Sequence, residues 1–186
     1  MKHALVLDLN GLLLQRCSRR VAGAEAALVS GMRRVYLRPH ARDFVAWALD
    51  NFTVAVWSSA TRHNVDAMVG AVFGQHRPRL LCEWDQRRCV AVPDGGCRAV
   101  FAKPLEALLA AYPATLHRHR VLLVDDSVQK GVYNQPHTGV HPQPWVADGG
   151  QDDDLLAPGG RMREWLAGLV DAPSVPEYVR AVPLYR

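Results

Sequence analysis

The chain has 186 residues, of which 49% are hydrophobic and 22% are charged, and this composition indicates a globular protein rather than a disordered chain or a fibrous repeat. A net charge of +4, from 22 basic and 18 acidic residues, mildly favours acidic partners such as phosphates and is too small to indicate direct nucleic-acid binding. No run of about 18 apolar residues occurs, so no membrane span is predicted. The length predicts a single domain over residues 1–186.

The N-terminus and the cysteines bear on the cellular compartment. The first apolar run stops at Asp8, which is too early for a secretory signal. The spacing of the cysteines matches no zinc site, so reduced thiols are expected at Cys17, Cys82, Cys89 and Cys97. We therefore expect an intracellular protein, cytoplasmic or nuclear, or an organellar one if an upstream transit peptide is missing.

The N-terminal half alternates short apolar strands with amphipathic helices. A strand is predicted over residues 3–8, and the dipeptide Asn10-Gly11 predicts a turn after it. Residues 16–34 are predicted to be irregular and basic, forming either a solvated loop or a recognition loop for acidic phosphopeptides. Apolar spacing then predicts a helix over 40–51, a strand over 52–57 and a helix over 61–73.

The C-terminal half continues this alternation after an insert of different character. Residues 79–100 are predicted to form a small strand-rich insert with tight turns. The loop-like segment 131–160 includes one short strand near Gly139-Val140 and a solvated acidic run, Asp152-Asp153-Asp154. The other predicted elements are a strand over 121–124 and helices over 104–112, 161–170 and 176–182. Because strands and helices alternate, the predicted fold is α/β, a Rossmann-like parallel sheet with helices on both faces.

Acidic residues end two of the predicted strands, Asp8 on the strand over 3–8 and Asp125-Asp126 on the strand over 121–124. In open α/β sheets ligands bind beyond the carboxyl ends of the strands, so these carboxylates would meet if their strands are neighbours. Carboxylate oxygens suit Mg²⁺. Ser58 ends another strand and Lys103 precedes a helix. An acidic nucleophile, metal ligands, a hydroxyl group and a cation together indicate phosphoryl transfer.

Each of these residues also has a purely structural interpretation. An acid at a strand end is often a turn residue or a helix cap, and for Asp126 a supporting role and a cap are both retained. Ser58 could instead cap the helix that follows it. Lys103 could be a solvated surface charge. The combination of Asp8 with Asp125 favours the functional interpretation for the set.

The chain also resembles the haloacid dehalogenase superfamily. Asp8-Leu9-Asn10-Gly11-Leu12 is similar to its motif I, DxDx[TV], and the segments RPHARDFVAWALDNFTVAVWSSATRHNVD, FAKPLEALL and VLLVDDSVQKGVYNQPHTGV are similar to the regions of motifs II, III and IV. The likeness is to the small C-terminal-domain phosphatase branch, also called NLI-interacting-factor-like. It is strongest to a plant-type subgroup whose motif I reads DLNGLL.

This resemblance implies a role for each matching residue. Asp8 would be the nucleophile that accepts the phosphoryl group, and Ser58 and Lys103 would bind the phosphate. Mg²⁺ would be held by Asp8, Asp125 and the backbone carbonyl of Asn10, with Asp126 orienting the metal shell. The implied activity is a Mg²⁺-dependent phosphatase acting on phosphoserine or phosphothreonine in a protein or peptide, with a strand insert between motifs II and III.

One position departs from the family pattern. The second aspartate of motif I, the general acid/base, is Asn10 here. An amide cannot release a proton near neutral pH, and general acid catalysis is worth about 10²–10⁴-fold, so turnover is expected to be impaired. The alternative is a non-catalytic binding module on the same fold, either a pseudophosphatase or a domain like that of a mitochondrial import receptor. The oligomeric state is left open.

Overall fold

A computed structural model describes residues 1–30, 32–93, 99–147 and 153–185. Cys97 and Asp152 lie outside the described residues. The strands are β1 (Ala4–Leu7), β2 (Leu14–Cys17), β3 (Leu28–Ser30), β4 (Arg33–Leu37), β5 (Thr53–Trp57), β6 (Glu83–Trp84), β7 (Val90–Pro93), β8 (Ala99–Ala102), β9 (Val121–Val124) and β10 (Gly139–Val140). The helices are α1 (Ala41–Asn51), α2 (Arg62–Phe73), α3 (Leu105–Ala111), α4 (Arg161–Val170) and α5 (Val175–Ala181).

The central sheet has five parallel strands in the order β10-β9-β1-β5-β6. Strand β1 lies in the middle, and its last residue, Leu7, pairs with Val56 of β5 and Val124 of β9. Strands β1 and β9 are buried along their whole length, as parallel strands covered on both faces must be. The predicted α/β fold with a central parallel sheet is therefore confirmed.

Helices cover both faces of this sheet because successive strand residues point to opposite sides. On one face Leu5 and Leu7 pack in a core with Phe44 of α1, Met68 of α2 and Leu166 of α4. On the opposite face, the strand residues pack with α3 and the loop that follows it. That second core includes Ala4, Val6, Ala55, Trp57, Leu105, Leu108 and Leu116. None of the described helices is long and apolar enough to span a membrane.

The basic segment predicted to be irregular lies in no helix or strand over residues 18–27, as expected, but its two ends belong to a second sheet. Strands β2, β4 and β3 form an antiparallel sheet in that order, with Leu14 paired to Leu37 and Leu28 paired to Val35. The prediction of an irregular 16–34 is therefore wrong only at these strand residues. Several positions of the sheet, such as Leu28 and Tyr36, pack against a core. Arginines fill many of the other positions, so the apolar alternation of a half-buried strand is hidden.

The insert is divided between two sheets. Strands β7 and β8 are an antiparallel pair within the predicted strand-rich insert, from Val90 paired with Ala102 to Pro93 paired with Ala99. Strand β6, however, joins the edge of the central sheet, where Trp84 pairs with Trp57. Its Glu83 binds Arg62 and Arg77, which fixes this edge strand to the neighbouring helix.

The acidic run before α4 also differs from the prediction. Asp153 accepts hydrogen bonds from Nε and Nη2 of Arg38 at 2.9 and 2.7 Å. The Arg38 side chain is only 4% exposed, and its Nη1 also donates to the carbonyl of Leu12. A buried guanidinium requires a counter-charge. Asp153 is therefore a structural ion-pair partner rather than part of a solvated loop, whereas Asp154 is exposed as expected.

Candidate active site

Three predicted site residues meet at one edge of the central sheet. Asp8, Ser58 and Asp125 each follow the end of a parallel strand, and the register places these strand ends side by side. The backbone N–H of Asp8 donates to the carbonyl of Val124 at 3.0 Å, which continues the pairing of β1 and β9 past Leu7. All three residues are buried. The structure therefore brings together the carboxylates and the hydroxyl that the strand ends predicted.

Lys103 lies beneath these carboxylates and is fully buried. Its Nζ donates to Oδ1 of Asp8 at 2.8 Å and to Oδ2 of Asp125 at 2.6 Å. Burying an ammonium group is costly unless it is paired and hydrogen-bonded, and two carboxylates meet that requirement here. The alternative of a solvated surface charge is therefore wrong. Its ammonium contacts the nucleophile candidate rather than lining the cleft above it.

A second lysine, Lys130, enters the same cluster, and sequence reasoning missed it. Its Nζ lies 2.9 Å from Oδ2 of Asp8, 3.0 Å from Oδ1 of Asp125 and 3.6 Å from Oδ1 of Asp126. A 3-10 turn over Val128–Gly131 brings the side chain back towards the sheet edge. Its only signal in the sequence is a basic residue five positions after a strand-ending acid, which is too common a pattern to single it out.

The two lysines control the ionisation of the nucleophile candidate. Burial alone would raise the pKa of Asp8, but Lys103 and Lys130 outweigh that effect and hold the pKa below its ordinary value. Burial opposes the charge of Lys130 as well, and the carboxylates of Asp8 and Asp125 raise its pKa. Asp8 is consequently a carboxylate at neutral pH, the form that can act as a nucleophile.

Asp126 differs from Asp8 in that its pKa is raised rather than lowered. Burial raises its pKa to about 6 against the pull of Lys130, and the negative charges of Asp8 and Asp125 add to the increase. Its Oδ1 is buried with no hydrogen-bond partner among the described residues. Oxygens of Asp8, Asp125 and Asp126 lie within 4.8 Å of one another. Three clustered carboxylates with an unsatisfied oxygen fit a hard divalent cation such as Mg²⁺.

Asn10 lies at the mouth of the site and is exposed. Its side-chain Oδ1 accepts a hydrogen bond from the backbone N–H of Arg16 at 2.8 Å, which fixes the orientation of the amide. Asn10 thus lines the same cleft as Asp8 and Lys130, with its side-chain oxygen bonded to the backbone of β2. The part of the residue predicted to contact a metal ion is its backbone carbonyl, and that contact stays a prediction.

An open cleft of about 340 Å³ lies above the cluster. Its lining includes Asp8, Asn10, Arg16, Ser58 and Lys130. Ser58 accepts a hydrogen bond from the backbone N–H of Ala60, while the N-cap of α2 is Thr61, so the alternative of Ser58 as a helix cap is wrong. A hydroxyl and two cations around an ionised carboxylate form a suitable receptor for a phosphate group.

Known proteins share this fold and sequence pattern. Residues 3–172 match the family described as NLI interacting factor-like phosphatase. An uncharacterized FCP1 homology domain-containing protein of Schizosaccharomyces pombe is 34% identical over 80 residues, which are 43% of this chain and 32% of the yeast protein.

Two solved structures of the RNA polymerase II CTD phosphatase Fcp1 have the same fold. A fission yeast Fcp1 variant bound to beryllium fluoride superposes with a TM-score of 0.53 at 11% identity, covering 90% of this chain and 51% of that one. A second Fcp1 structure gives 0.51 at 14% identity, covering 95% and 56%. The chain spans about a third of the yeast relative and about half of each Fcp1 chain.

Proposed function

Because the chain belongs to the NLI interacting factor-like phosphatase family of the haloacid dehalogenase superfamily, we propose that it removes phosphate from phosphoserine or phosphothreonine in proteins through a phospho-aspartyl intermediate on Asp8. The observation that carries this proposal is the Asp8 carboxylate, held ionised between Lys103 and Lys130 at the base of an open cleft. The Fcp1 structures with this fold are described as phosphatases of the RNA polymerase II CTD, a protein substrate.

The chain's own residues supply the attack and the orientation of the phosphate. A carboxylate oxygen of Asp8 attacks phosphorus, and the bond from phosphorus to the serine or threonine oxygen breaks, so that this oxygen leaves and takes a proton from solvent. Water then attacks the phosphorus of phospho-Asp8, and the bond from phosphorus to the Asp8 oxygen breaks, which releases phosphate and restores the carboxylate. Ser58 and Lys130 line the cleft and donate hydrogen bonds to the phosphoryl oxygens, while Lys103 keeps the carboxylate positioned from below. Mg²⁺, held by Asp8, Asp125 and the Asn10 carbonyl with Asp126 beside them, would neutralise charge on the transferring phosphoryl group.

Proton transfer to the leaving group is expected to be the slow step of this reaction. An alkyl leaving group needs a proton, and Asn10 has none to give. The amide is held towards Arg16 by its Oδ1, so it can donate a hydrogen bond to a bound group without transferring a proton. We therefore expect hydrolysis of aryl phosphates, which leave without protonation, to be faster than hydrolysis of phosphoserine peptides.

The test compares wild type with Asp8→Asn in the presence of Mg²⁺. Wild type is expected to release phosphate from an aryl phosphate, and Asp8→Asn is expected to release none. Beryllium fluoride with Mg²⁺ mimics a phospho-aspartate and should raise the melting temperature of wild type but not that of Asp8→Asn. The matched control, Asp154→Asn, removes an exposed carboxylate outside the site and should behave as wild type.

A second candidate function is a phosphopeptide-binding module without turnover, and the observation that favours it is Asn10 at the acid/base position. In that case wild type binds a phosphoserine peptide more tightly than the unphosphorylated peptide and releases no phosphate from any substrate. Release of phosphate that requires Asp8 would decide for the enzyme. An intracellular location stays a prediction in either case.

A further inference from the structure

We propose that Lys130 is a tethered cation that competes with the divalent metal ion, so that Mg²⁺ binds only when the Lys130 ammonium leaves the carboxylate cluster. The proposal rests on the proposed function for the position of the metal site. It adds a residue that sets the metal affinity of that site.

The two lysines together contact all four carboxylate oxygens of Asp8 and Asp125, two of the predicted metal ligands. Asp8 receives Lys103 on Oδ1 and Lys130 on Oδ2. Asp125 receives Lys103 on Oδ2, and its Oδ1 lies 3.0 Å from Lys130 Nζ and accepts the backbone N–H of Ser127. While both ammonium groups remain in place, each carboxylate oxygen of Asp8 and Asp125 is therefore already engaged by a cation.

Of the two lysines, Lys130 is the one with room to leave. Lys103 is fully buried, and its backbone carbonyl accepts a hydrogen bond from Asn134. The Lys130 side chain is 16% exposed and borders the cleft beside Ser58. The backbone carbonyl of Lys130 is anchored by the N–H of Lys103 at 2.7 Å, so the ammonium can swing towards the cleft while its loop stays in place.

Charge balance favours exchange over joint occupancy. Asp8, Asp125 and Asp126 face Lys103 and Lys130. A divalent cation added to the two lysines would make four positive charges against three carboxylates. The cation would also lie a few ångströms from the Lys130 ammonium, and like charges repel strongly in a poorly hydrated site. With Lys130 displaced the charges would balance, and the ammonium would move towards the cleft that Lys130 and Ser58 line, where the proposed phosphate would bind.

The test is calorimetric titration of Mg²⁺ into wild type, Lys130→Met and the control Lys2→Met, which removes an exposed lysine. If Lys130 occupies the metal site in most molecules, only the remaining fraction can bind Mg²⁺, and the apparent affinity for Mg²⁺ falls in proportion to that fraction. Lys130→Met should therefore bind Mg²⁺ at least about tenfold more tightly than wild type, and Lys2→Met should match wild type. Without metal, Lys130→Met should melt at a lower temperature, and saturating Mg²⁺ should raise its melting temperature more than that of wild type.

Equal or weaker Mg²⁺ binding by a folded Lys130→Met would overturn the competition and leave the phosphatase proposal standing. If neither wild type nor Lys130→Met binds Mg²⁺, both the competition and the Mg²⁺ dependence of the proposed function would be overturned. Circular dichroism checks folding. If Lys130→Met does not fold, Lys130→Gln carries the same expectation, because it also removes the charge and keeps a polar group at the cleft edge.

Discussion

The carboxylate of Asp126 lies directly over Gly11, and a Cβ at Gly11 would fall 2.3 Å from Oδ2 of Asp126. Gly11 also has a φ of +92°, a region that residues with a side chain rarely adopt. The glycine of the Asn10-Gly11 turn thus has two separate requirements, one for backbone conformation and one for space. Through this close contact, Gly11 packs the turn after β1 against Asp126, which follows β9.

Gly11→Ala should be more destabilising than the same change at another glycine of positive φ. Gly159 has a φ of +78°, and beyond its own backbone and its two chain neighbours no atom of the described residues lies within 4 Å of the position that a Cβ would take there. Gly159→Ala therefore reports conformational strain alone, about 1–2 kcal/mol. Gly11→Ala adds displacement of Asp126, and overpacking costs about 1–3 kcal/mol more. Urea unfolding of both variants measures the difference. Equal losses would mean that Asp126 moves aside freely.

The pH dependence of stability should report Asp126. Its folded pKa, about 6, is above its ordinary value, so the folded state binds the proton more tightly than the unfolded state. The stability from this group is present below about pH 4 and is lost as the pH rises towards 6. Asp126→Asn lacks this loss and should therefore gain up to about 3 kcal/mol relative to wild type between pH 4 and pH 7.

This measurement is made by urea unfolding across that pH range with a chelator present, since a bound metal ion would stabilise the ionised carboxylate. Asp154→Asn, at an exposed position, is the matched control and should follow wild type at every pH. A constant difference between Asp126→Asn and wild type would show that Asp126 ionises alike in the folded and unfolded states.

Asp153→Ala should destabilise the fold because it leaves the guanidinium of Arg38 buried without its counter-charge. Breaking a buried pair costs about 3–5 kcal/mol, and the lower end applies because the Asp153 side chain is 23% exposed. Asp50→Ala breaks the exposed pair with Arg79 and should cause no measurable loss. Similar midpoints of unfolding for the two variants would contradict the structural role of Asp153.

Asn10→Asp should raise hydrolysis of a phosphoserine peptide by about 10²-fold or more, the lower end of the contribution of a general acid. The new carboxylate can still accept the N–H of Arg16, so its position should be kept. Hydrolysis of an aryl phosphate should change much less, because that leaving group needs no proton. Asn10→Ala is the control for loss of the amide. An inert Asn10→Asp that still binds Mg²⁺ would favour the binding-module function.

The sequence by itself determined the sheet and the acids at its edge. Strands β1, β5 and β9 are short apolar runs that are followed by Asp8, Ser58 and Asp125. Such runs are typical of parallel strands that are buried on both faces of a sheet. Because parallel strands share a direction, the polar residues that end them meet at one edge. Local pattern and sheet geometry are therefore sufficient to predict this part of the site.

Only the tertiary structure decided which charges meet. Lys130 reaches Asp8 from 122 residues away, and Arg38 reaches Asp153 from 115 residues away. Neither pair has a periodic signature, because a long charged side chain finds its partner through space after the backbone has folded. The three-stranded sheet of β2, β3 and β4 was hidden for a different reason, because the arginines Arg16, Arg33 and Arg34 interrupt the apolar alternation that predicts a half-buried strand.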